Sequence, residues 1–463
     1  MSTETAPITT GATPRPAALD PAAVETDTEP HAPAAGPPVS GPAASTVTAP
    51  PAGAARGPRL AALQHRDYRL YWSGSLVSQL GSQMSSVAVS WQVYQLTHDP
   101  LMLGLTGLFT VVPMVLFSLY GGVVADALDR RRMLIVTQLI LLCTSLILAA
   151  TTLTGVISVW TVFGVVAIQG GVAAFNNPAR SALIPNLVPR EHLTNAISLG
   201  VTSWQVASVV GPSLAGIIIG GAAHLLGSSG VGVVYVIDVV SYTAVIGALA
   251  LIRAATQPLD RRPISLGSAL EGLRFVFRNP IMSGTMLLDF FATFFGASML
   301  LMPIFATDIL HVGPQGLGFL LAAPSAGAVV SAVIVSSLGH VRRQGKVVLW
   351  SVAAYGLAWV VFGLVPNFWV ALLALAGTGA ADTVSMVMRQ TIRQLTTPDE
   401  LRGRMTSVNM IFFMGGPQLG ELEGGIVARV LSAPWAAITG GLGVMVVTGL
   451  VAWKNRAVRT YEA

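Results

Sequence analysis

The placement of basic residues constrains this chain more than any other feature. All of its 26 Lys and Arg residues except Arg429 fall at the chain ends or in every second segment between long apolar stretches. About twelve such stretches lie between Arg69 and Trp453, each near the ~20 residues that a helix needs to cross hydrocarbon. Membrane proteins keep their Lys and Arg excess on the cytoplasmic side. The pattern predicts a multi-pass protein of the cell (plasma or inner) membrane with both termini in the cytoplasm.

Composition supports a lipid bilayer as the surroundings of this chain. Hydrophobic residues make up 53% of it and charged residues 10%, against about 25% charged residues in soluble domains. The net charge of +5 is spread over short segments, which is unlike a nucleic-acid-binding patch. The sequence therefore predicts a membrane protein without nucleic acid as a partner.

Motifs for ATP hydrolysis, metal binding and catalysis are missing from the sequence. Gly345-Lys346 is followed by Val347, so no phosphate-binding loop is formed there, and an ATP-driven pump is unsupported. The seven histidines show no paired helical spacing that would indicate a metal site or an enzyme. We expect no cofactor, no metal and no enzymatic activity, and a monomer is the default state for such a chain.

The apolar stretches divide the chain into two groups of six. We predict an all-α membrane protein with twelve transmembrane helices in two pseudo-symmetric six-helix bundles. The predicted divisions are a disordered Pro- and Ala-rich cytoplasmic arm, a first bundle, a cytoplasmic linker, a second bundle and a cytoplasmic tail, over residues 1–58, 59–252, 253–280, 281–453 and 454–463.

The two groups of helices also resemble one another in sequence. Arg180 and Arg389 each stand nine residues before a proline, and Arg66 and Arg278 each precede the first helix of their group. The offsets between matched positions run from 209 to 214 residues, which indicates a duplicated unit. Two same-sense halves are typical of secondary transporters that rock around a site near the membrane midplane.

A loop between the second and third helices resembles the signature loop of the major facilitator superfamily. It contains Gly122, Asp126, Arg130 and Arg131. The resemblance implies a latch between the halves, in which Asp126 faces the positive N-terminus of a helix in the other half, near Arg404. A tight turn with arginines that orient the chain in the membrane is the alternative. Two positions depart from the signature, since Ala127 and Asp129 replace a basic residue and a glycine.

Further motifs resemble those of the enterobactin-exporter and macrolide-efflux branch of the superfamily. They are Asn177-Pro178-Ala179-Arg180, Arg402-Gly403-Arg404 and the segment from Gln418 to Glu423. The resemblance covers essentially residues 66–453 and implies a twelve-helix exporter of a siderophore or drug, driven by proton antiport. The motifs do not identify the substrate.

The family's motif on the fifth helix is matched in part, at Gly211, Pro212 and Gly216. The resemblance implies a hinge that seals the pathway, and simple close packing of helices explains the same residues equally well. Val166 stands where the family's proton-linked motif on the fourth helix has an arginine. Proton coupling by that route is therefore not implied for this chain.

Five acidic residues fall inside predicted membrane spans: Asp238, Asp289, Asp382, Glu421 and Glu423. Each would cost ~2.5–3.5 kcal/mol at the centre of a lipid-exposed helix, so we expect them to face protein or water. Asp289, Glu421, Glu423 and Asp382 are the candidates for proton coupling, and Asp238 is interpreted as structural. Glu421 and Glu423 are about 200° apart on one helix, so they cannot share a face.

Asp382 and Arg389 share a face of the tenth helix. Their intrahelix separation of about 10 Å argues against a direct pair, so a network with neighbouring helices is expected instead.

Polar residues along otherwise apolar helices predict a cavity for an organic substrate. Asp289 and neighbouring threonines form one stripe, and a second stripe runs along the first helix. Hydrogen bonds between helices are the alternative explanation of both stripes. The predicted lining comprises Trp72, Gln79, Gln83, Ser86, Trp204, Gln205, Thr285, Thr293, Phe294 and Gln418.

These features together predict a secondary transporter with a small molecule and protons as its partners. The hypothesis is rocker-switch export, in which Asp289 or Glu421 takes protons from outside and releases them inward. Uptake of a small metabolite is the main alternative, and a non-transporting membrane receptor is the remaining one.

Overall fold

A computed structural model describes the chain over residues 60–462, except for 128, 227–229, 254–273, 275, 277–278, 297, 338–340, 398–415 and 418. The predicted arm over 1–58, most of the predicted linker, Arg404 and Gln418 therefore lie outside the described residues.

Residues 60–253, here called the first half, form six long helices. These are α1 (Arg66–Thr97), α2 (Pro100–Ala127), α3 (Arg130–Leu153), α4 (Val159–Leu187), α5 (Leu193–Leu226) and α6 (Gly230–Leu251). Residues 279–462, the second half, contain α7 (Pro280–Phe295), α8 (Gly313–Ser337), α9 (Gln344–Leu364), α10 (Phe368–Thr396), α11 (419–430) and α12 (Ala433–Lys454).

Ten of the described helices are long and apolar enough to cross a membrane, with α7 counted together with the turns that follow it to Ile309. The two others are α1 and α11. The 32 residues of α1 give a length of about 48 Å, which is ample for a span, but its many Ser and Gln residues make it too polar to be recognised by hydropathy. The described part of α11 is short.

The same packing scheme occurs in both halves. In the first half α1 packs on α6, α2 on α4, and α3 on both α4 and α6. In the second half α7 packs on α12, α8 on α10, and α9 on both α10 and α12. Each second-half contact is the first-half contact displaced by six helices, as expected from the duplication in the sequence.

Several helices begin at a side chain that caps their free backbone N–H groups. The Asp129 carboxylate accepts a hydrogen bond from the N–H of Arg131 at 2.9 Å and so starts α3. The Asn279 side chain caps α7, and Asn367 caps α10 by accepting from the N–H of Trp369 at 3.0 Å. The departure of Asp129 from the signature loop thus has a structural explanation as a helix cap.

The seventh span is interrupted. Regular α-helix ends at Phe295, and a 3₁₀ turn, a short α turn and a π turn over Phe305–Ile309 carry the chain onward. Pro303 lies within this stretch and has no backbone N–H to donate. Such interruptions are common at functional positions of membrane proteins, and this one lies next to the second half's contacts with α1 and α2.

The apolar cores show where the halves meet. We call the side that holds residues 129–132 and 341–346 the basic face, and the side that holds 98–99 and 310–312 the distal face. One buried core joins both halves toward the distal face, with Leu103 and Leu317 among its members. Toward the basic face each half has its own core, with Leu183 in the first and Val348 in the second. Among the described residues, the apolar core therefore joins the halves toward the distal face and is separate in each half toward the basic face.

Candidate functional site: the seam between the halves and its cavities

Glycines bring α5 and α8 into backbone contact at the seam between the halves. A Cβ atom built on Gly216 would lie 2.5 Å from the carbonyl oxygen of Pro314 and 2.9 Å from the Cα of Gly318. A Cβ atom on Gly318 would lie 2.5 Å from the carbonyl oxygen of Pro212. Small residues permit this approach, which closes the seam toward the distal face.

A second glycine contact joins α2 to α11. A Cβ atom on Gly104 would lie 2.8 Å from the carbonyl oxygen of Glu421, and one on Gly425 would lie 3.0 Å from that of Pro100. This contact also lies toward the distal face, so two pairs of helices seal that side by the same device.

Polar contacts reinforce the distal seal. The Tyr94 hydroxyl donates a hydrogen bond to the Asp308 carboxylate, and a guanidinium nitrogen of Arg429 lies 3.6 Å from a carboxylate oxygen of Asp99. Sequence reasoning did not identify these four residues. The one available signal was Arg429, since it alone among the basic residues breaks the charge pattern.

Among the described residues, the polar contacts across the seam end near the middle of the helices. Within the described ranges, the bond nearest the basic face runs from the Gln205 amide to the carbonyl oxygen of Ser325, at 3.2 Å. The neighbouring Trp204 keeps 55% of its surface exposed. This conformation is therefore closed at the distal face, and we find no hydrogen bond or ion pair between described residues that closes the basic face.

A polar chamber of about 320 Å³ lies beneath the distal seal. Helices α1, α2, α4 and α6 of the first half form most of its wall, and the second half contributes Leu300 and Glu421. Its polar lining consists of Ser82, Ser85, Ser86, Ser90, Thr106, Thr110, Gln169, Asp238, Tyr242 and Glu421. The chamber thus brings together two of the membrane acids, one from each half.

The sequence predicts a structural role for Asp238. Its carboxylate accepts from the Ser145 hydroxyl of α3 at 2.7 Å, which is a bond between helices, and from the Ser241 hydroxyl of its own helix at 3.3 Å. Its exposed fraction is 0%. Its place in the chamber wall opposite Glu421 is an addition that the sequence did not show. Glu423, two residues further along α11, is half-buried and does not line this chamber.

Asp289 belongs to a buried ion-pair cluster in the second half. One carboxylate oxygen lies 2.9 Å from Arg389, and the other lies 3.6 Å from Arg393. Arg389 is 1% exposed and Asp289 5%. Arg389 also lies 3.4 Å from the Asp382 carboxylate, so the expectation that these two residues are too far apart to pair was wrong. The extended arginine side chain reaches back along two turns of α10.

The hydroxyls of the predicted stripe on α7 bond to the backbone of their own helix. Thr285 is fully buried and donates to the Ile281 carbonyl at 3.0 Å, and Thr293 donates to the carbonyl of Asp289 at 2.9 Å. Phe294 stacks on Phe290 with ring centroids 6.0 Å apart. The structure therefore supports packing and an ion-pair cluster on this helix more directly than a polar cavity wall.

The predicted lining on α1 divides between two cavities. Ser86 lines the polar chamber, whereas Trp72 and Gln79 line a second pocket of about 330 Å³ that also includes Trp204 of α5. Gln83 lies between them and donates to the Ser208 hydroxyl at 3.0 Å, which is a bond between helices. We call the second cavity, bounded by α1, α4 and α5, the first-half pocket.

The arginines of the predicted latch bond within the first half. Arg130 donates to the carbonyl of Ala182 at 3.2 Å, and Arg131 donates to the carbonyl of Leu249 at 2.7 Å. These bonds tie α3 to α4 and α6 and do not cross to the second half in this conformation. The Leu249 carbonyl is one of the four at the end of α6 that have no partner within the helix. Gly122 and Asp126 lie on α2, and their side-chain surroundings fall outside the description.

The glycines of the predicted hinge have different neighbours. A Cβ atom on Gly211 would lie 2.6 Å from the Cβ of Gln83, so this residue permits packing of α5 on α1 inside the first half. Pro212 and Gly216 face α8 across the seam. Close packing accounts for all three, and the position of Pro212 and Gly216 at the seam is also the one that a hinge requires.

The fold and these cavities define a membrane transporter. A family model described as transmembrane secretion effector matches residues 58–463, and the chain belongs to this family of the major facilitator superfamily. Within the superfamily it falls in the enterobactin-exporter branch. It is an integral inner-membrane protein and not an enzyme.

Curated relatives and solved structures agree with this assignment. The enterobactin exporter EntS of Shigella boydii serotype 18 is 26% identical over 393 residues, covering 83% of this chain and 90% of that protein. EntS of Citrobacter koseri is 27% identical over 394 residues with the same coverage. The fold is similar to the inward-facing crystal structure of a bacterial homologue of the iron transporter ferroportin, with a TM-score of 0.62, 15% identity and coverage of 84% and 98%.

Proposed function

We propose that this protein is a proton-coupled exporter of an organic small molecule, such as a siderophore or a lipophilic drug, and that it works by rocker-switch alternating access. The curated relatives are named as exporters, and the two halves repeat one packing scheme. Such halves pivot around a site at their interface.

The observation that carries the proposal is the one-sided seam. Glycine contacts and polar pairs join the halves toward the distal face, and the polar contacts among described residues end at Gln205 near mid-helix. If the basic face is cytoplasmic, as the distribution of Lys and Arg predicts, this is the conformation that receives substrate from the cytoplasm. Export then requires the distal seam to open while the basic side closes.

The polar chamber supplies a place for the proton. Glu421 lies in its wall and forms no ion pair with any residue in the described part of the chain, whereas Asp289 is held by two arginines. A carboxyl group that alternates between a dry and a wet environment can bind a proton in one and release it in the other. We therefore assign the proton-carrying role to Glu421 and a structural role to the Asp289 cluster.

The test measures cell-associated enterobactin and erythromycin, with and without a protonophore. In the wild type the protonophore is expected to raise the retained amount of at least one of the two probes. Glu421→Gln keeps the size of the side chain and removes its exchangeable proton, so retention should be high and insensitive to the protonophore. Glu423→Gln is the matched control on the same helix, outside the chamber, and should behave as the wild type.

Three results would contradict the proposal. Unchanged efflux in Glu421→Gln removes this residue from proton coupling. A protonophore that lowers retention in the wild type indicates uptake. Equal retention of both probes in cells with and without the protein would show that neither probe is a substrate.

A further inference from the structure

Arg180 of α4 lies in the first-half pocket with its charge unmatched. Within the described ranges its guanidinium forms no ion pair and no hydrogen bond, and no Asp or Glu lines the pocket. The wall consists of Tyr68, Tyr71, Trp72, Ser75, Gln79, Arg180, Ser181, Ile184, Ile197, Gly200, Val201, Ser203 and Trp204. A half-buried cation among aromatic and hydroxyl groups, with no acidic residue in the wall, favours an anionic ligand.

The duplicated sequence shows that an arginine without an acidic partner at this position is specific to the first half. Arg389 is the counterpart of Arg180, and α7 neutralises Arg389 through Asp289 at 2.9 Å. With an offset of 209 to 214 residues, the first-half positions equivalent to Asp289 are 75–80 of α1, and none of these residues is acidic. The second half therefore carries its counter-charge in the protein, and the first half leaves the equivalent charge to be matched from outside.

The other polar groups of the pocket separate into satisfied and unsatisfied ones. The Tyr68 hydroxyl donates to the Ala196 carbonyl at 2.7 Å, and the Trp72 ring N–H donates to the Leu199 carbonyl at 3.2 Å. The Tyr71 hydroxyl is buried and has no hydrogen-bond partner in the described part of the chain. Arg180 and Tyr71 are thus two donors without acceptors in one cavity.

The aromatic members indicate what accompanies the anion. Trp72 and Trp204 come from different helices and both line the pocket, and Trp204 is more than half exposed. The indole N–H of Trp72 is already bonded, so what this residue offers a ligand is its apolar ring. Large flat rings beside a guanidinium favour a flat ring that carries negative charge.

We propose that the first-half pocket binds an anionic aromatic group of the transported molecule, with Arg180 as the ligand of the anion and Trp72 and Trp204 as its stacking surfaces. The anion is a carboxylate or an ionised phenol on an aromatic ring. This inference rests on the proposed function, because it names the substrate class of the same transporter. It makes Arg180 a binding residue that accepts substrate on the basic side of the molecule.

The test is equilibrium dialysis of the purified full-length protein in lipid nanodiscs, corrected with empty nanodiscs. The probes are 1-naphthoate and its neutral isostere 1-naphthamide. The wild type should bind naphthoate more tightly than naphthamide. Arg180→Gln should raise the Kd of naphthoate about tenfold or more and change the Kd of naphthamide less than twofold, because a hydrogen bond to a charged group contributes about that much affinity. Arg190→Gln, which removes an exposed cation on the same face, should leave both affinities unchanged.

A structural role for Arg180 predicts a different pattern. If Arg180→Gln weakens both probes equally or neither of them, or if the wild type prefers the amide, the proposal is overturned. Arg180→Lys keeps the charge and should retain a preference for naphthoate, so it provides the answer if the Gln variant does not fold. Trp204→Leu should weaken both probes, because it removes stacking surface and no charge.

This experiment is independent of proton coupling, because dialysis involves no gradient. A selective, Arg180-dependent affinity together with protonophore-insensitive transport would refute the coupling and retain the anion site. Gradient-driven export by a protein that shows no preference for naphthoate would retain the proton coupling and refute the anion site.

Discussion

The close contact between α5 and α8 predicts that Gly216→Ala shifts the conformational equilibrium of the protein. The added methyl group would lie 2.5 Å from the Pro314 carbonyl oxygen and 2.9 Å from the Cα of Gly318. Both neighbours are backbone atoms, so neither can turn aside as a side chain would. The conflict exists only while the distal face is closed, and it is relieved when the halves separate there.

The size of the effect follows from the cost of overpacking. An extra methyl group in a tightly packed contact typically costs about 1–3 kcal/mol. A cost borne by one of two conformations shifts their equilibrium by about 5- to 150-fold, here toward the form with an open distal face. Gly221→Ala is the matched control, because a Cβ atom at that position of the same helix meets nothing within 4 Å.

The assay is labelling of a single cysteine from the distal side. Cys143 is replaced by Ser, and Ser90→Cys places a thiol in the wall of the polar chamber. A membrane-impermeant maleimide added outside the cells reaches this thiol only when the distal face opens, provided that the basic face is cytoplasmic. Gly216→Ala should raise the labelling rate about 5- to 150-fold, and Gly221→Ala should not change it. Equal rates in Gly216→Ala and its parent would refute the view that this contact holds the seam closed.

Two further predictions concern the ion pairs. Asp289→Asn leaves Arg389 and Arg393 without their main counter-charge, so the free energy of unfolding should fall by about 3–5 kcal/mol. The measurement is the midpoint of thermal unfolding in detergent, which should be lower than in the wild type and should recover in part when Arg389→Gln is added. A midpoint equal to that of the wild type would contradict the buried cluster. Arg429→Gln removes the pair with Asp99, which is partly exposed and contributes about 0–1 kcal/mol. The cysteine-labelling rate should therefore rise by less than about fivefold. A larger rise than in Gly216→Ala would show that this ion pair holds the seam more strongly than the glycine contact does.

The membrane character of the chain could be predicted because charge and hydropathy act locally. Ten of the expected spans are visible as apolar helices, and the superfamily could be recognised from short motifs. Of the two others, α11 is described only in part, and α1 falls short by hydropathy because it faces a chamber and a pocket that need Ser and Gln. A helix that lines a polar cavity loses the feature by which spans are recognised.

The partners of charged side chains could not be predicted, because they depend on packing between distant segments. The rise of the helix alone argues against the Asp382–Arg389 contact, and that argument neglects the reach of an arginine along its own helix. The latch that the motif implies for Arg130 and Arg131 stays a prediction, and in this conformation carbonyls of α4 and α6 accept from them. The shared chamber of Asp238 and Glu421 requires two helices separated by much of the chain.

The polarity of α1 has a consequence for how the protein is made. This helix is synthesised first, yet the surfaces that cover its hydroxyl and amide groups belong largely to α5 and α6, which emerge from the ribosome more than a hundred residues later. Until then the Gln83 amide lacks its partner Ser208 of α5, and hydrocarbon offers it no hydrogen bond. The stability of α1 in the bilayer therefore depends on the completed first half and not on α1 alone.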